Sequence, residues 1–472
     1  MAQQHDGLPS GQGHLPQVVF HACFSVPGFT RGLSFYWTEI PVFAIVCPMD
    51  RSFKPVNACG NVLIPGSKSQ TIRALLIATL SGGKSIIENA LDSQDTVSCI
   101  DLCRQLGAEI HFNEGHTTLF CDASHVFDSK EEITVDCGNS GTTLTLAAGM
   151  VPSLARKITF TGDNQLQNRP VGALLQALED LGAKVERHNG EYPPFSIQGP
   201  LQGGKCTISC PTSQYLSALL LGSPLSLADT EIHVPLLYEK PYVALTLGWM
   251  EMQGINYEIS PDFQHARIKG NQHYHPITTL VTGDFSSASF FFCMAAISKS
   301  TITVDGLDFN DVQGDKKILD ILQEMGCTIV WNGNSVSVTG NDSLHGGSFD
   351  LNEIPDTLPA LAVTACFASD DVHLTNVPQA RIKETDRIAV MNKELTALGA
   401  SIEESPDGMT IKAGHPLHGG IVHGHDDHRV IMALSMISCA ISDTMTIQGI
   451  DAAGVTFPSF FPLFDSITGE NQ

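Results

Sequence analysis

The chain is poor in positive charge. Of its 472 residues, 26 are Lys or Arg and 50 are Asp or Glu, which leaves a formal net charge of −24. Nucleic acids and anionic membrane surfaces need a positive face, so both are excluded as partners. A small anionic ligand in a locally basic cleft is not. Charged residues of both signs make up only 16% and hydrophobic ones 42%. That mix buries a large core and does not describe a disordered chain. The length suffices for two or three domains.

Long apolar runs are also missing. The stretch LSFYWTEIPVFAIVC, residues 33–47, is broken by Glu39 and Pro41 and is too short to span a bilayer. It lacks the basic n-region and small-residue cleavage site of a signal peptide. Residues 1–48 therefore read as an extension outside the fold, with Met49 as an alternative start. No CxxC pair occurs. The thirteen cysteines are scattered among apolar runs, and Cys99/Cys103 and Cys206/Cys210 have i, i+4 spacing. An odd number in such places fits buried thiols in a reducing cytoplasm, without a disulfide framework or a zinc site.

A phosphate-binding P-loop is absent as well. In LIPGSKSQTIRALLIATL, residues 63–80, Ser67 separates Gly66 from Lys68, and no earlier glycine has the required spacing. What remains is a Lys and two Ser at the mouth of a helix, with Arg73 one turn in. Free N–H groups and the helix dipole already make such a mouth an anion site.

What the chain does have is repetition. Gly107, Gly182, Gly254, Gly326, Gly399 and Gly469 each follow a helix-like segment, at intervals of 70 to 75 residues. A left-handed position after a helix favours glycine. Helix starts recur with them, opened by Ser69, Ser140, Ser213, Ser286, Asp356 and Asp427. Each opener is a cap-type residue, and each helix is almost wholly apolar, hence buried. A β-rich stretch follows each one, such as KITFTG or STITVDG. The period predicts six similar α/β units. Their buried helices would present their N-termini to one cleft and focus positive potential there.

The charged residues at these mouths are Lys68, Arg73, Arg169, Lys383, Arg387 and Arg429. Arg offers a forked donor to carboxylate or phosphate, and Lys a point charge. Asp356 and Glu384 lie among them and suit general acid–base work. The segment IVHGHDDHRV, residues 421–430, holds His423, His425, Asp426, Asp427 and His428. Its spacing suits a strand and a turn, so an anion-binding His428–Arg429 pair is expected rather than a metal cluster.

Together these segments resemble a known family. PGSKSQTIRALLIATL, GNSGTT, NRPVGALLQALEDLGA, SQYLSALL, EKPYVALTL, GDFSSASFF, IPDTLPALA, RIKETDRI and DHRVIMAL occur in the order found in 5-enolpyruvylshikimate-3-phosphate synthases, the 3-phosphoshikimate 1-carboxyvinyltransferases. The resemblance covers about residues 55–465. The related UDP-N-acetylglucosamine enolpyruvyl transferases carry Asn directly after the Lys, where this chain has Ser69. RNA phosphate cyclases share the fold type without these motifs.

The resemblance implies an α/β fold of two domains, an inside-out barrel-like arrangement of six βαβαββ units with the site in the interdomain cleft. The expected division is 1–48 as extension, 67–283 as one inserted domain, and 49–66 plus 284–472 as the other. It implies a monomeric cytoplasmic enzyme of the shikimate pathway, without metal or organic cofactor. Its substrates would be phosphoenolpyruvate (PEP) and shikimate 3-phosphate, on the way to chorismate and the aromatic amino acids. By position, Lys68 and Arg169 would hold the PEP phosphate, Arg387 and Arg429 its carboxylate, with Gly141 and Gln214 beside them. Ser69 and Arg73 would bind the shikimate carboxylate. Thr212, Ser213 and Lys383, with Gln214 and Asp356 nearby, would bind the rest of the acceptor and its 3-phosphate. Asp356 would be the base and Glu384 the proton donor, with Lys68 assisting.

Four positions depart from the family's usual residues. Thr145 and Val455 stand where it has Arg and Lys, Glu239 where many members have Ser, and Gln379 where Asn is common. Two cations are thereby lost from an anion site. A transferase with a different cyclic acceptor, or a non-catalytic protein that binds shikimate 3-phosphate, are the competing readings. Asp356 and Glu384 argue against the second, and Val455 argues for it.

Overall fold

The computed structural model describes residues 49–469, and the expectations for residues 1–48 lie outside the described residues. Six apolar helices form the inside: Lys68–Leu80, Gly141–Met150, Ser213–Gly222, Phe285–Ser298, Leu358–Ala365 and His428–Met436. Apolar residues lie all round these helices, so they bury their whole circumference. In Phe285–Ser298 every residue from Phe285 to Ile297 is buried.

Six small sheets lie against these helices. The strands after the helices are Lys84–Glu88, Lys157–Thr161, Thr230–His233, Thr301–Asp305, Val372–Thr375 and Met445–Gln448. Their alternating burial turns one face inward. One unit shows the plan. Ile133–Asp136 pairs parallel with Lys157–Thr161, and the helix Gly141–Met150 is the crossover between them. A second helix, Gly172–Asp180, leads to the antiparallel hairpin of Lys184–Asn189 and Tyr192–Gln198. A parallel pair needs such a crossover, and the apolar helix supplies it.

Two units exchange strands. Gly60–Leu63 pairs parallel with Thr301–Asp305, and Thr278–Leu280 with Lys84–Glu88. Where the chain passes twice, Gly66 and Gly283 form an antiparallel bridge. A Cβ on Gly66 would sit 1.9 Å from the Asn89 carbonyl oxygen, so no other residue fits there. The last sheet has three strands. Arg51–Phe53 closes it antiparallel to Met445–Gln448, where the other units use a hairpin. One hydrophobic core draws on residues from Ile72 to Val281, and a second joins Phe53–Ile64 to Phe285–Ile467.

The six periodic glycines all have positive φ, between 66° and 107°. The caps follow expectation less closely. Ser140 and Asp427 do cap their helices through side-chain bonds. Helix Lys68–Leu80 starts one residue before Ser69, behind Ser67. Thr212 rather than Ser213 caps the third helix, and Asp284 rather than Ser286 the fourth, because the Asp284 carboxylate reaches the Ser287 N–H. Asp356 lies in a 3-10 turn, Pro355–Thr357, ahead of its helix and leaves its carboxylate free for other partners. Among the described residues no helix is long and apolar enough to cross a membrane.

Candidate active site

The mouths of buried helices from both cores meet in one cleft. Lys68, Ser69, Arg73, Gly141, Arg169, Ser213, Gln214, Asp356, Lys383, Glu384, Arg387 and Arg429 all line it. Thr212 lines the adjoining hollow with Gln214 and Lys383. Every residue given a substrate or proton-transfer role from the sequence is therefore brought to this place or to the hollow beside it. Asp95, Thr142, Glu239 and Tyr242 line it too. Asp95 and Tyr242 were not foreseen. Their only sequence signal is that each lies in the first turn of a helix, Gln94–Gln105 and Lys240–Met252.

Carboxylates neutralise most of these cations. Lys68 Nζ lies 3.1 Å from Asp95. Arg387, which is 1% exposed, donates through Nη1 to Asp356 Oδ1 at 2.9 Å and through Nε to Asp427 Oδ2 at 2.9 Å. Its Nη2 donates to Glu384 Oε2. Arg429 Nη2 donates to the other Asp356 oxygen at 2.9 Å. Arg169 Nη2 is 3.4 Å from Glu384 Oε1 and donates to Asn139 at 2.9 Å, while its buried Nε has no partner. Arg73 is held by neutral groups, the Thr246 hydroxyl and the Ser69 and Tyr242 carbonyls.

Gly141 belongs to this geometry. A Cβ there would lie 2.8 Å from Arg169 Nη1, so a larger residue would shift the end of that guanidinium from its present place. Gln214 Nε2 donates to Thr142 at 3.3 Å, which steadies the neighbouring mouth.

The protonation states follow from burial and these pairs. Burial opposes charge on Asp356, but Arg429, Lys383 and Arg387 outweigh it and hold the carboxyl well below its ordinary range. Glu384 is likewise held well down against burial, by Arg387 and then Arg169. Burial lowers Arg73 to about 10. Both acids are thus ionised.

Thr212, Ser213 and Lys383 converge on one carboxylate, that of Glu239. Its Oε2 accepts from Thr212 Oγ1 at 3.2 Å, Ser213 N at 3.1 Å and Ser213 Oγ at 2.9 Å. Lys383 Nζ donates to Oε1 and lies 3.8 Å from Asp356.

The other departures have their own surroundings. Thr145 is buried and lines the same adjoining hollow as Thr212, together with Leu166, Val171, Arg169 and Lys383. Val455 ends a 3-10 helix, Ile450–Val455, on a groove shared with Asp95, Asp163 and Asp426. Gln379 is buried and donates to the Asn352 carbonyl at 2.9 Å.

The His/Asp segment disperses. His425 Nε2 pairs with Glu394 at 2.7 Å, and Asp427 caps its helix and holds Arg387. His428 is 2% exposed, and burial lowers its pKa to about 3. Burial favours neutral His428, so in the expected anion-binding pair of His428 and Arg429 the charge sits on Arg429.

The sequence profile described as EPSP synthase (3-phosphoshikimate 1-carboxyvinyltransferase) matches residues 54–464. The 3-phosphoshikimate 1-carboxyvinyltransferase of Ruminiclostridium cellulolyticum is 42% identical over 87% of this chain and 96% of its own length. That of Acetivibrio thermocellus is 44% identical over 86% and 95%. The chloroplastic enzyme of Arabidopsis thaliana is 36% identical over 87% and 82%. In fold, the chain is similar to the EPSP synthase of Acinetobacter baumannii, with TM-score 0.75, 23% identity and coverage of 89% of this chain and 98% of that one. The enolpyruvyl transferase NikO of Streptomyces tendae follows with TM-score 0.71, 17% identity and coverage of 89% and 97%. The chain belongs to the EPSP synthase, or 3-phosphoshikimate 1-carboxyvinyltransferase, family.

Proposed function

We propose that this protein transfers the enolpyruvyl group of PEP to the 5-hydroxyl of shikimate 3-phosphate and releases phosphate, a step of aromatic amino acid biosynthesis. The observation that carries this reading is the meeting of six cations in one cleft, with Asp356 and Glu384 among the carboxylates that pair them. Two polyanionic substrates need that much positive charge to lie side by side.

In this reading Lys68 and Arg169 hold the PEP phosphate, Arg387 and Arg429 its carboxylate, and Gly141 and Gln214 shape the same end. Ser69 and Arg73 take the shikimate carboxylate. Thr212, Ser213 and Lys383 take the 3-phosphate. Asp356 accepts the 5-hydroxyl proton as that oxygen bonds to C2 of PEP. Glu384 delivers a proton to C3, which becomes a methyl group. The tetrahedral adduct then loses a proton from that methyl and expels phosphate, restoring the vinyl bond.

Substrate binding itself supports the proton transfers. Arg387 and Arg169 hold Glu384 ionised before PEP arrives. Once the anionic groups of PEP engage those guanidiniums, their hold on Glu384 weakens and its pKa rises. Glu384 then carries the proton that C3 requires. Asp356 is ionised at the outset beside Arg429 and Lys383, and as PEP and the 3-phosphate engage those same cations its proton affinity rises towards that of a working base.

We further read the two hydrophobic cores as domains, 67–283 and 49–66 plus 284–472, that close on the substrates. One chain supplies every group named, and we read the working unit as a cytoplasmic monomer. The test is phosphate release from PEP plus shikimate 3-phosphate by protein starting at Met49. Turnover with this pair supports the reading, and binding of shikimate 3-phosphate without any turnover overturns it.

A further inference from the structure

The carboxylate of Glu239 occupies what a phosphate would need. It takes one backbone N–H at a helix mouth, two hydroxyls and one ammonium, the donor set that binds a phosphate monoester. The side chain is 2% exposed, so little water competes for these donors. The cradle is thus built for an anion, and the protein's own carboxylate fills it.

The backbone of Glu239 fits this role poorly by itself. It has φ 59°, left-handed for a residue with a Cβ, and is the N-cap residue of the helix Lys240–Met252. A carboxylate at that position ordinarily bonds the first N–H groups of its own helix. Glu239 makes no such bond and reaches across to the neighbouring helix instead. The bonds that hold its side chain are the ones a ligand phosphate would take over.

We infer that Glu239 is a displaceable gate on the acceptor's 3-phosphate subsite, and that the incoming phosphate must expel it to bind. This rests on the proposed acceptor. A carboxylate and a phosphate cannot share the four donors, because both are anions. Displacement lowers the apparent affinity for the acceptor by the cost of moving Glu239 out. In return the gate discriminates. An acceptor without the phosphate cannot open it. Inorganic phosphate, and the phosphate end of PEP, are kept out of the wrong cradle.

The test compares the parent with Glu239→Ser and the near-isosteric Glu239→Gln. Three quantities are measured: the Kd for inorganic phosphate by titration calorimetry, the KM for shikimate 3-phosphate, and the KM for PEP. The gate predicts about tenfold tighter phosphate binding and about tenfold lower KM for shikimate 3-phosphate in Glu239→Ser, with a smaller shift in Glu239→Gln. The KM for PEP does not fall, since the change is confined to the acceptor subsite. Phosphate also raises the melting temperature of Glu239→Ser more than that of the parent. Unchanged or weaker phosphate binding in both variants overturns the gate, whatever the turnover. Tighter phosphate binding in the variants, with no turnover of shikimate 3-phosphate by the parent, keeps the gate and rejects the proposed acceptor.

Discussion

Arg387 Nη1 lies 2.9 Å from Asp356 Oδ1, and the same guanidinium reaches Glu384 and Asp427. One buried cation thereby bears on both proposed proton-transfer groups, with Arg429 and Lys383 beside it at Asp356 and Arg169 at Glu384. Replacing Asp356 with Asn keeps the shape and removes the base. The expected result is a loss of about 10²–10⁴ in kcat for phosphate release. A loss confined to KM would assign Asp356 to binding alone.

Glu384 is ionised until PEP competes for Arg387 and Arg169. PEP binding near neutral pH should therefore take up roughly one proton, by linkage between ligand and proton binding. Calorimetry in buffers of different ionisation enthalpy measures this uptake. Glu384→Gln should bind PEP without it and lose turnover by at least about a hundredfold.

Gly141→Ala tests the seat of Arg169. The added Cβ would approach Nη1 to 2.8 Å and push the guanidinium away. The KM for PEP should rise by about tenfold, equal to about 1.4 kcal/mol of lost binding, with the folded state retained. Steady-state kinetics beside a melting curve separates the two effects.

Acid should destabilise the protein through His428. Its pKa in the folded chain is lowered from 6.5 to about 3, so the unfolded chain binds this proton first. The stabilisation from neutral His428 is complete above 6.5 and shrinks as pH falls from 6.5 towards 3. From pH 6.5 to 5, before most carboxylates titrate, it should remove roughly 2 kcal/mol. Denaturant unfolding at several pH values measures the slope, and His428→Gln should flatten it.

Val455→Lys restores a cation where the family usually has one. The side chain would enter the groove holding Asp95, the partner of Lys68. Drawing Asp95 away frees Lys68 for phosphate, so the KM for PEP should fall by about tenfold. An unchanged KM would mean that the groove around Val455 does not communicate with Lys68.

Much of this molecule was legible from local pattern. The glycine period and the apolar helices depend on residues close in sequence: a left-handed turn after each helix, and apolar side chains all round the one before each strand. Both survive in the fold almost residue for residue. The cleft residues were legible in part from the helix mouths, a local feature that the repeat aligns, and in part from the family resemblance, and Asp95 and Tyr242 escaped both. Tertiary packing decided the rest. Which carboxylate meets which cation depends on residues far apart in the chain, such as Lys383 and Glu239 or Arg429 and Asp356. The neutrality of His428 depends on burial that no short window reveals. Sequence determined which residues would gather. Only the fold decided which cations already hold a carboxylate, because Coulomb and desolvation energies depend on distances across the cleft rather than along the chain.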